Sequence, residues 1–127
     1  MRTNHVIIWI DHKQAHVIYF DSANNEVIKS ENSQPHLHHK ANTVGDGNAP
    51  ENHPFFHQVI HAVSDVKEIL IVGPGSAKLE LVKHANLHDH KIFEKIVGVE
   101  TVDHPTDGQL LAYARKYFIR IDRLKAL

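Results

Sequence analysis

Thirteen histidines are the unusual feature of this 127-residue chain, and three of them, His36, His38 and His39, stand almost side by side. Neutral imidazole is a common ligand for zinc, copper and nickel, so these three residues, with His53 or His57 as a further ligand, are candidate metal ligands. The spacing in HLHH matches no zinc signature, and a histidine-rich tract is only a compositional signal. We therefore expect no resident cofactor and keep a divalent metal such as zinc as the alternative.

A second group of candidates is cationic and lies near the end of the printed sequence. Its members are Arg115, Lys116, Arg120, Arg123 and Lys125, interleaved with Tyr117 and Phe118. Such a patch can contact RNA phosphates. The alternative is that the cations complement the dipole at a helix C-terminus while the aromatic rings sit in the core.

Three carboxylates offer a nuclease interpretation. Asp11 ends the first predicted strand, where nucleases of a related sheet arrangement carry a metal-binding carboxylate, and Glu51 and Asp107 are further candidates. The fourth predicted strand ends at Gly73, where such an enzyme needs another carboxylate to hold a second magnesium ion. Two-metal cleavage is therefore disfavoured, and Asp11 is explained more simply as a turn residue at a strand end.

Composition narrows the classes of protein to consider. Fourteen basic and fifteen acidic side chains leave a net charge of −1, so no global field recruits nucleic acid and any RNA contact must be local. The absence of cysteine removes disulfides, thiolate nucleophiles and cysteine-ligated zinc. There is neither an apolar run of about 18 residues nor a signal-like leader, so we expect a cytoplasmic protein without a membrane span. The length predicts a single domain over residues 1–127.

The elements that must position these candidates begin with three short strands. Apolar runs at His5–Ile10 and residues 15–20, with a weaker run at residues 26–30, each predict a strand. Connections this short join antiparallel neighbours, so the three strands form a meander. Residues 31–53 show no periodicity, and loops longer than about 12 to 15 residues in a compact domain are usually functional or disordered.

The second half of the chain alternates between helical and strand patterns. Phe56, Val59, Ile60 and Val63 repeat at helical spacing after a start near Pro50 or Pro54. Residues 96–102 predict a fifth strand, and residues 106–118 a last helix opened by a capping box at Thr106 and Gln109. Residues 86–95 are left open between a continued and a broken helix.

Between these patterns, residues 67–84 predict a buried strand, a sharp turn and a helix. The unbroken apolar run at residues 69–72 suits a central strand, and Gly73-Pro74-Gly75 turns the chain, with the glycines permitting a positive φ. Ser76 is the predicted N-cap of the helix that follows. Lys78 in its first turn either binds an anion together with the exposed N–H groups or is a solvated lysine.

The element order is therefore βββαβαβα. Right-handed crossovers place the fourth strand beside the first and the fifth beyond it. This predicts an α/β fold with a mixed five-stranded sheet in the order 3-2-1-4-5 and helices on both faces, which is the ribonuclease H-like arrangement. Many unrelated activities share that arrangement, so the fold alone decides no function.

Two resemblances cover nearly the whole chain. VGPGSAK at residues 72–78, following a buried strand, resembles the strand, GPG turn and lysine-bearing helix start in the middle domain of eukaryotic and archaeal class I release factors and their Pelota-like relatives. With WIDHK near its beginning and VETVDHPTDGQLLAYARKYF near its end, the chain is also similar to a group of short bacterial proteins known as translational machinery proteins. Both resemblances imply a translational machinery component-like fold and a role in translation.

The release-factor resemblance gives residues 31–53 a meaning. In those factors the loop after the third strand carries a Gly-Gly-Gln tripeptide that positions water against the peptidyl-tRNA ester. The corresponding residues here are Gly45, Asp46, Gly47 and Asn48, in which an aspartate separates the glycines and a shorter amide replaces glutamine. A carboxylate repels both the ester and RNA phosphates, so the departure argues against release-factor-type hydrolysis and leaves a Gly-Asp-Gly surface turn as the simpler interpretation.

Two classes of function remain. As a binding module, which we favour because no complete catalytic set is visible, the protein docks on the ribosome or tRNA. The predicted RNA-binding residues are Lys40, Lys78, Arg115, Lys116, Arg120 and Arg123. As an enzyme, it is a hydrolase that acts on an ester or phosphodiester through residues 45–48. The sequence leaves the substrate and the oligomeric state open, a homo-oligomer included.

Overall fold

The computed structural model describes residues 5–20, 25–30 and 49–126 of the chain. The elements in chain order are β1 (His5–Ile10), β2 (Gln14–Tyr19), β3 (Glu26–Lys29), α1 (Ala49–Ala62), β4 (Glu68–Gly73), α2 (Ala77–His88), α3 (His90–Lys95), β5 (Ile96–Thr101) and α4 (Asp107–Ala126). The strands form one sheet in the order β3-β2-β1-β4-β5. The three-stranded meander is antiparallel, and β4 pairs in parallel with β1 on one side and β5 on the other. The predicted α/β arrangement is confirmed.

The central position of β4 follows from its sequence. Its residues 69–72 are at most 1% exposed, because the strand is paired at both edges and covered on both faces. Ile69 and Ile71 pack into a core beneath α1 and α2, where the predicted helical stripe of α1 is also buried. Leu70 and Val72 pack on the opposite face against α4, whose Leu110, Ala114 and Phe118 complete a second core.

At the edge of the sheet the predicted burial is too high. The apolar run at residues 96–102 predicts that Val97 and Val99 of β5 are largely buried, but both are only partly buried. The reason is that β5, among the described strands, pairs with β4 alone, so it lies at an edge of the sheet and is less covered than a central strand. The other residues predicted to be largely buried are so, namely Ile8, Ile10, Val17, Ile69 and Ile71.

Gly73 is required for close packing rather than for an unusual backbone angle. Neither Gly73 nor Gly75, nor any other described glycine, has a positive φ, so that part of the turn prediction is wrong. A Cβ at position 73 would instead overlap the carbonyl oxygen of Ile10 on β1. A Cβ at Gly75 would meet nothing within 4 Å. Only the first of the two glycines therefore serves the contact between strands.

The helix boundaries follow local signals with two exceptions. Thr106 and Gln109 form the predicted reciprocal capping box, with Gln109 Oε1 2.9 Å from the Thr106 nitrogen and Thr106 Oγ1 3.1 Å from the Gln109 nitrogen. Ser76 occupies the N-cap of α2 but makes no capping bond, because its hydroxyl donates to the Glu80 carboxylate. Helix α4 continues to Ala126, past the predicted end at residue 118.

The segment that the sequence left open is a broken helix. Helix α2 ends at His88, and Asp89 then opens the short α3 by accepting a bond from the Ile92 nitrogen. Within the described ranges, no helix is long and apolar enough to cross a membrane.

Candidate functional site

Several predicted site residues lie outside the part of the chain that the structure describes. They are the loop candidates for hydrolysis, the three candidate metal ligands and one candidate RNA-binding lysine, namely Gly45, Asp46, Gly47, Asn48, His36, His38, His39 and Lys40. Their roles stay predictions. The geometry below concerns residues whose side chains the structure places.

Four cations form what we call the basic face of α4. They are Arg115, Lys116, Arg120 and Arg123, and all four are exposed. At about 100° per residue they fall within an arc of about 140°, on the side of the helix opposite Leu110, Ala114 and Phe118. Because α4 continues to Ala126, Arg115 and Lys116 lie in its middle, where a cation no longer complements the dipole of the last turn.

No carboxylate among the described residues forms a pair with the basic face. Every contact between a basic side chain and a carboxylate that the structure shows among the described residues involves a histidine: His5 with Glu68, His12 with Glu80, His16 with Asp107, and His90 with Glu94. Within the described part of the chain, no carboxylate therefore competes with an external anion for the four cations of α4.

Two tyrosines border the basic face. The Arg120 guanidinium carbon lies 5.7 Å from the centre of the Tyr117 ring, and the Tyr113 ring centre is 6.4 Å from that of Tyr117. Burial, followed by the Glu100 carboxylate, raises the pKa of both hydroxyls, so both tyrosines are neutral at pH 7. Tyr117 crosses β5 at Gly98, where a Cβ would overlap its hydroxyl. The predicted interleaving therefore separates into a buried Phe118 and tyrosines that reach the surface.

A cavity of about 390 Å³ adjoins this face at the start of α4. Residues 102–105, Gln109, Leu110 and Tyr113 line it. Its inner wall is held by the Trp9 indole, whose nitrogen donates to the Asp103 carbonyl at 2.6 Å and whose ring centre lies 5.0 Å from that of His104. An apolar cavity beside aromatic and cationic groups has the chemistry to accept a flat ring.

Lys78 is more buried than the sequence predicts for a lysine in the first turn of a helix. The residue is only 7% exposed, so the solvated alternative is wrong. Its ammonium donates to the carbonyl oxygen of Gly75 and thereby bridges the turn before α2. Its contact with RNA phosphate stays a prediction.

Two of the three carboxylates of the nuclease interpretation have partners within the protein. Asp11 Oδ1 accepts from the backbone nitrogens of Lys13 and Gln14 at 2.8 and 2.9 Å, which is the expected strand-end turn. Asp107 Oδ1 lies 3.2 Å from Nδ1 of His16. The side chain of Glu51 lies outside the described set. Neither Asp11 nor Asp107 belongs to a described group of three converging ligand atoms.

Three ligand atoms do converge at the opposite end of the sheet. His5, Glu68 and Asp122 each offer one, and the three atoms lie within 4.8 Å of one another. The His5 Nε2 and Glu68 Oε1 atoms are 3.1 Å apart, and the His5 ring packs edge-on against Phe118, with ring centres 4.6 Å apart. A contact between imidazole and carboxylate beside aromatic rings accounts for His5 and Glu68, and Asp122 is exposed.

A histidine cluster between α1 and α2 is the feature that the sequence reasoning missed. Its members, His53, His57, His84 and His88, all line one cavity of about 500 Å³, which Pro54, Ile60 and Asp89 also line. From the sequence, His53 and His57 are candidates only as further metal ligands beside the loop histidines. The signal that could have found the cluster is the repeated spacing of four residues, which places two side chains on one face of a helix.

His84 is the buried member of this histidine cluster. It is 8% exposed, and neither ring nitrogen hydrogen-bonds to a described group. Burial, followed by the imidazoles of His88, His53 and His57, lowers its pKa to about 4. The ring is therefore neutral at pH 7 and keeps a free lone pair.

Comparison with known proteins identifies the architecture. No family model matches the chain, and no curated protein matches its sequence. Among solved structures, the chain is similar to Pelota from Archaeoglobus fulgidus, with 16% identity, a TM-score of 0.56 and coverage of 99% of this chain and 36% of that one. Pelota from Thermoplasma acidophilum gives 17% identity and a TM-score of 0.55, covering 94% of this chain and 32% of that one.

The archaeal translation termination factor aRF1 is a third similar structure. It shares 18% identity with a TM-score of 0.51, over 96% of this chain and 39% of that one. The chain thus spans about a third of the length of each of these proteins. At this level of identity the similarity shows the fold, and it confirms that the chain resembles one domain of release-factor-like proteins.

Proposed function

We propose that this domain is an RNA-binding module that docks on the ribosome or tRNA through the basic face of α4. The observation that carries the proposal is that four exposed cations share one face of a helix and have no carboxylate partner in the described structure. Phosphates are the anions that such an array fits, because each neutralised phosphate releases a condensed counterion.

The surroundings of the basic face add a second element of recognition. Tyr113 joins the face to the cavity at His104 and Pro105, so a strand of RNA that follows the cations can place an unstacked base in that cavity. The similarity to a translation termination factor supports RNA of the translation machinery over other nucleic acid.

The proposal is tested by removing the four charges of the basic face together. Replacing Arg115, Lys116, Arg120 and Arg123 with glutamine is expected to abolish cosedimentation with ribosomes and binding to tRNA. Thermal stability should change little, because all four side chains are exposed and none forms an ion pair with a described residue.

A matched control removes the same charge from other surfaces. Lys29, Lys67, Lys83 and Lys91 are also exposed, so replacing these four with glutamine changes net charge equally. This control should bind like the unmodified protein. Equal loss of binding in both variants would show that net charge, rather than the basic face, drives association, and would refute the proposal.

The hydrolase alternative is tested in the same preparation. Asn48→Ala should leave ribosome binding unchanged. We also expect the variant and the unmodified protein not to differ in an assay of peptidyl-tRNA hydrolysis. If the variant instead loses a measurable hydrolysis while binding is intact, the loop at residues 45–48 is catalytic and the binding-module proposal is wrong.

A further inference from the structure

Two helices on the same face of the sheet each carry a pair of histidines four residues apart. His53 and His57 lie on α1, and His84 and His88 lie on α2. Residues at this spacing are neighbours on one helix face, and two histidines so placed are a known chelating arrangement for zinc. Each helix therefore presents a two-imidazole unit.

The two units meet across the contact between α1 and α2. The ring centres of His84 and His88 are 4.5 Å apart, and that of His53 lies 5.2 Å from His84 and 5.9 Å from His88. His57 lines the same cavity and contributes to the lowered pKa of His84. Imidazoles from both helices thus surround a single space.

His84 gives an independent indication that this space receives a ligand. Its ring is more than nine-tenths buried and lines the cavity, yet both nitrogens are without a hydrogen-bond partner in the described structure. A buried polar group left unsatisfied costs about 1 to 3 kcal/mol, so native proteins rarely keep one without a role. A ligand that accepts a nitrogen lone pair would remove this cost.

We propose that His53, His57, His84 and His88 form a binding site for a divalent transition-metal cation such as zinc. Four imidazole nitrogen donors suit the tetrahedral preference of zinc, and imidazole also binds copper and nickel. Magnesium and calcium prefer oxygen donors and fit the site poorly. Asp89 is the carboxylate at the rim, but its side chain is used to cap α3.

Binding requires the rings to turn. The described ligand atoms that already lie within 4.8 Å of one another belong to His5, Glu68 and Asp122, so the imidazoles of the cluster must rotate to converge on one ion. His53, His57 and His88 are exposed and have room to rotate, whereas His84 is fixed by packing. The bound ion would then link α1 to α2.

Calorimetric titration of the full chain with zinc tests the site. We expect one equivalent of zinc to bind and to raise the melting temperature, because an ion that binds only the folded state stabilises it. The double substitution His53→Ala and His88→Ala should weaken zinc binding by about a hundredfold or more. Even the loss of a residue that only orients a metal ligand typically lowers metal affinity by about 10- to 100-fold. Both residues are exposed, so the variant should fold, which circular dichroism checks.

Two controls locate the ion. His61→Ala with His90→Ala also removes two exposed histidines and should leave zinc affinity unchanged. A triple alanine variant at His36, His38 and His39 separates this site from the predicted loop site. If the unmodified chain binds no zinc, or if the His53 and His88 double variant binds as tightly as the unmodified chain, the proposal is overturned, whatever the loop variant does.

Discussion

At the scale of single residues, His84 links packing to protonation. Its pKa is lowered to about 4, first by burial and then by the imidazoles of His88, His53 and His57. In the unfolded chain the pKa of the same group is about 6.5. As the pH falls below about 6.5, the His84 imidazole of the unfolded chain takes up a proton. In the folded state the same imidazole stays neutral until about pH 4. The free energy of unfolding must therefore decrease as the pH falls through this window.

We expect His84 to contribute a loss of about 1 to 3 kcal/mol in the free energy of unfolding between pH 7 and pH 4. Urea denaturation of the unmodified protein and of His84→Gln, both in EDTA, measures the loss. The variant keeps the carboxylates and the other histidines, including those facing position 84, so the difference between the two pH profiles isolates this residue. Parallel profiles would show that His84 titrates normally in the folded state.

The sequence could predict only part of the residue-level chemistry. Asp11 behaves as the turn residue that its position at a strand end indicates, since its carboxylate has backbone partners two and three residues away. The histidine cluster depends instead on the packing of α1 against α2, which separate stretches of sequence do not specify. Lys78 shows the same limit, because its burial depends on how the turn before α2 seats against the sheet.

At the scale of elements, the close contact between β1 and β4 at Gly73 predicts that alanine at positions 73 and 75 has different effects on stability. Gly73→Ala places a methyl group against the Ile10 carbonyl, so the strands must separate, and we expect a loss of about 2 kcal/mol or more in the free energy of unfolding. Gly75→Ala meets no atom within 4 Å and needs no positive φ, so we expect a change within about 1 kcal/mol. Urea denaturation of both variants decides the point, and equal effects would contradict the packing explanation.

Elements were predictable where the signal is local. The apolar run of β4 and the capping box at Thr106 and Gln109 each specify their structure within a few residues. The end of α4 was missed because residues 119–126 contain no glycine or proline to stop a helix, and the amphipathic pattern alone marks no boundary. That extension matters for function, since it moves Arg115 and Lys116 from a helix terminus to the middle of an exposed helix face.

At the scale of the whole molecule, the charge balance determines how binding to RNA must respond to salt. The net charge is −1 at pH 7, so long-range attraction by the whole chain is absent and any affinity must come from local contacts. A net charge this small also means that protonating a few of the thirteen histidines makes the molecule positive. Salt and pH therefore report on different parts of the molecule, the first on the basic face of α4 and the second on the histidines.

If the basic face neutralises four phosphates, the logarithm of the binding constant should fall with the logarithm of salt concentration with a slope of about −3. Fluorescence anisotropy of labelled tRNA at several salt concentrations measures this slope. The double substitution Arg120→Gln and Arg123→Gln should reduce its magnitude by about half, because two of the four contacts are lost, whereas Lys83→Gln with Lys91→Gln should leave it unchanged.

Below about pH 6.5 the affinity should rise if histidines join the interface, and the slope should then steepen because more phosphates are neutralised. A slope that both double variants reduce equally would instead assign the binding to diffuse charge, since only a local contact distinguishes cations that carry the same charge on different surfaces.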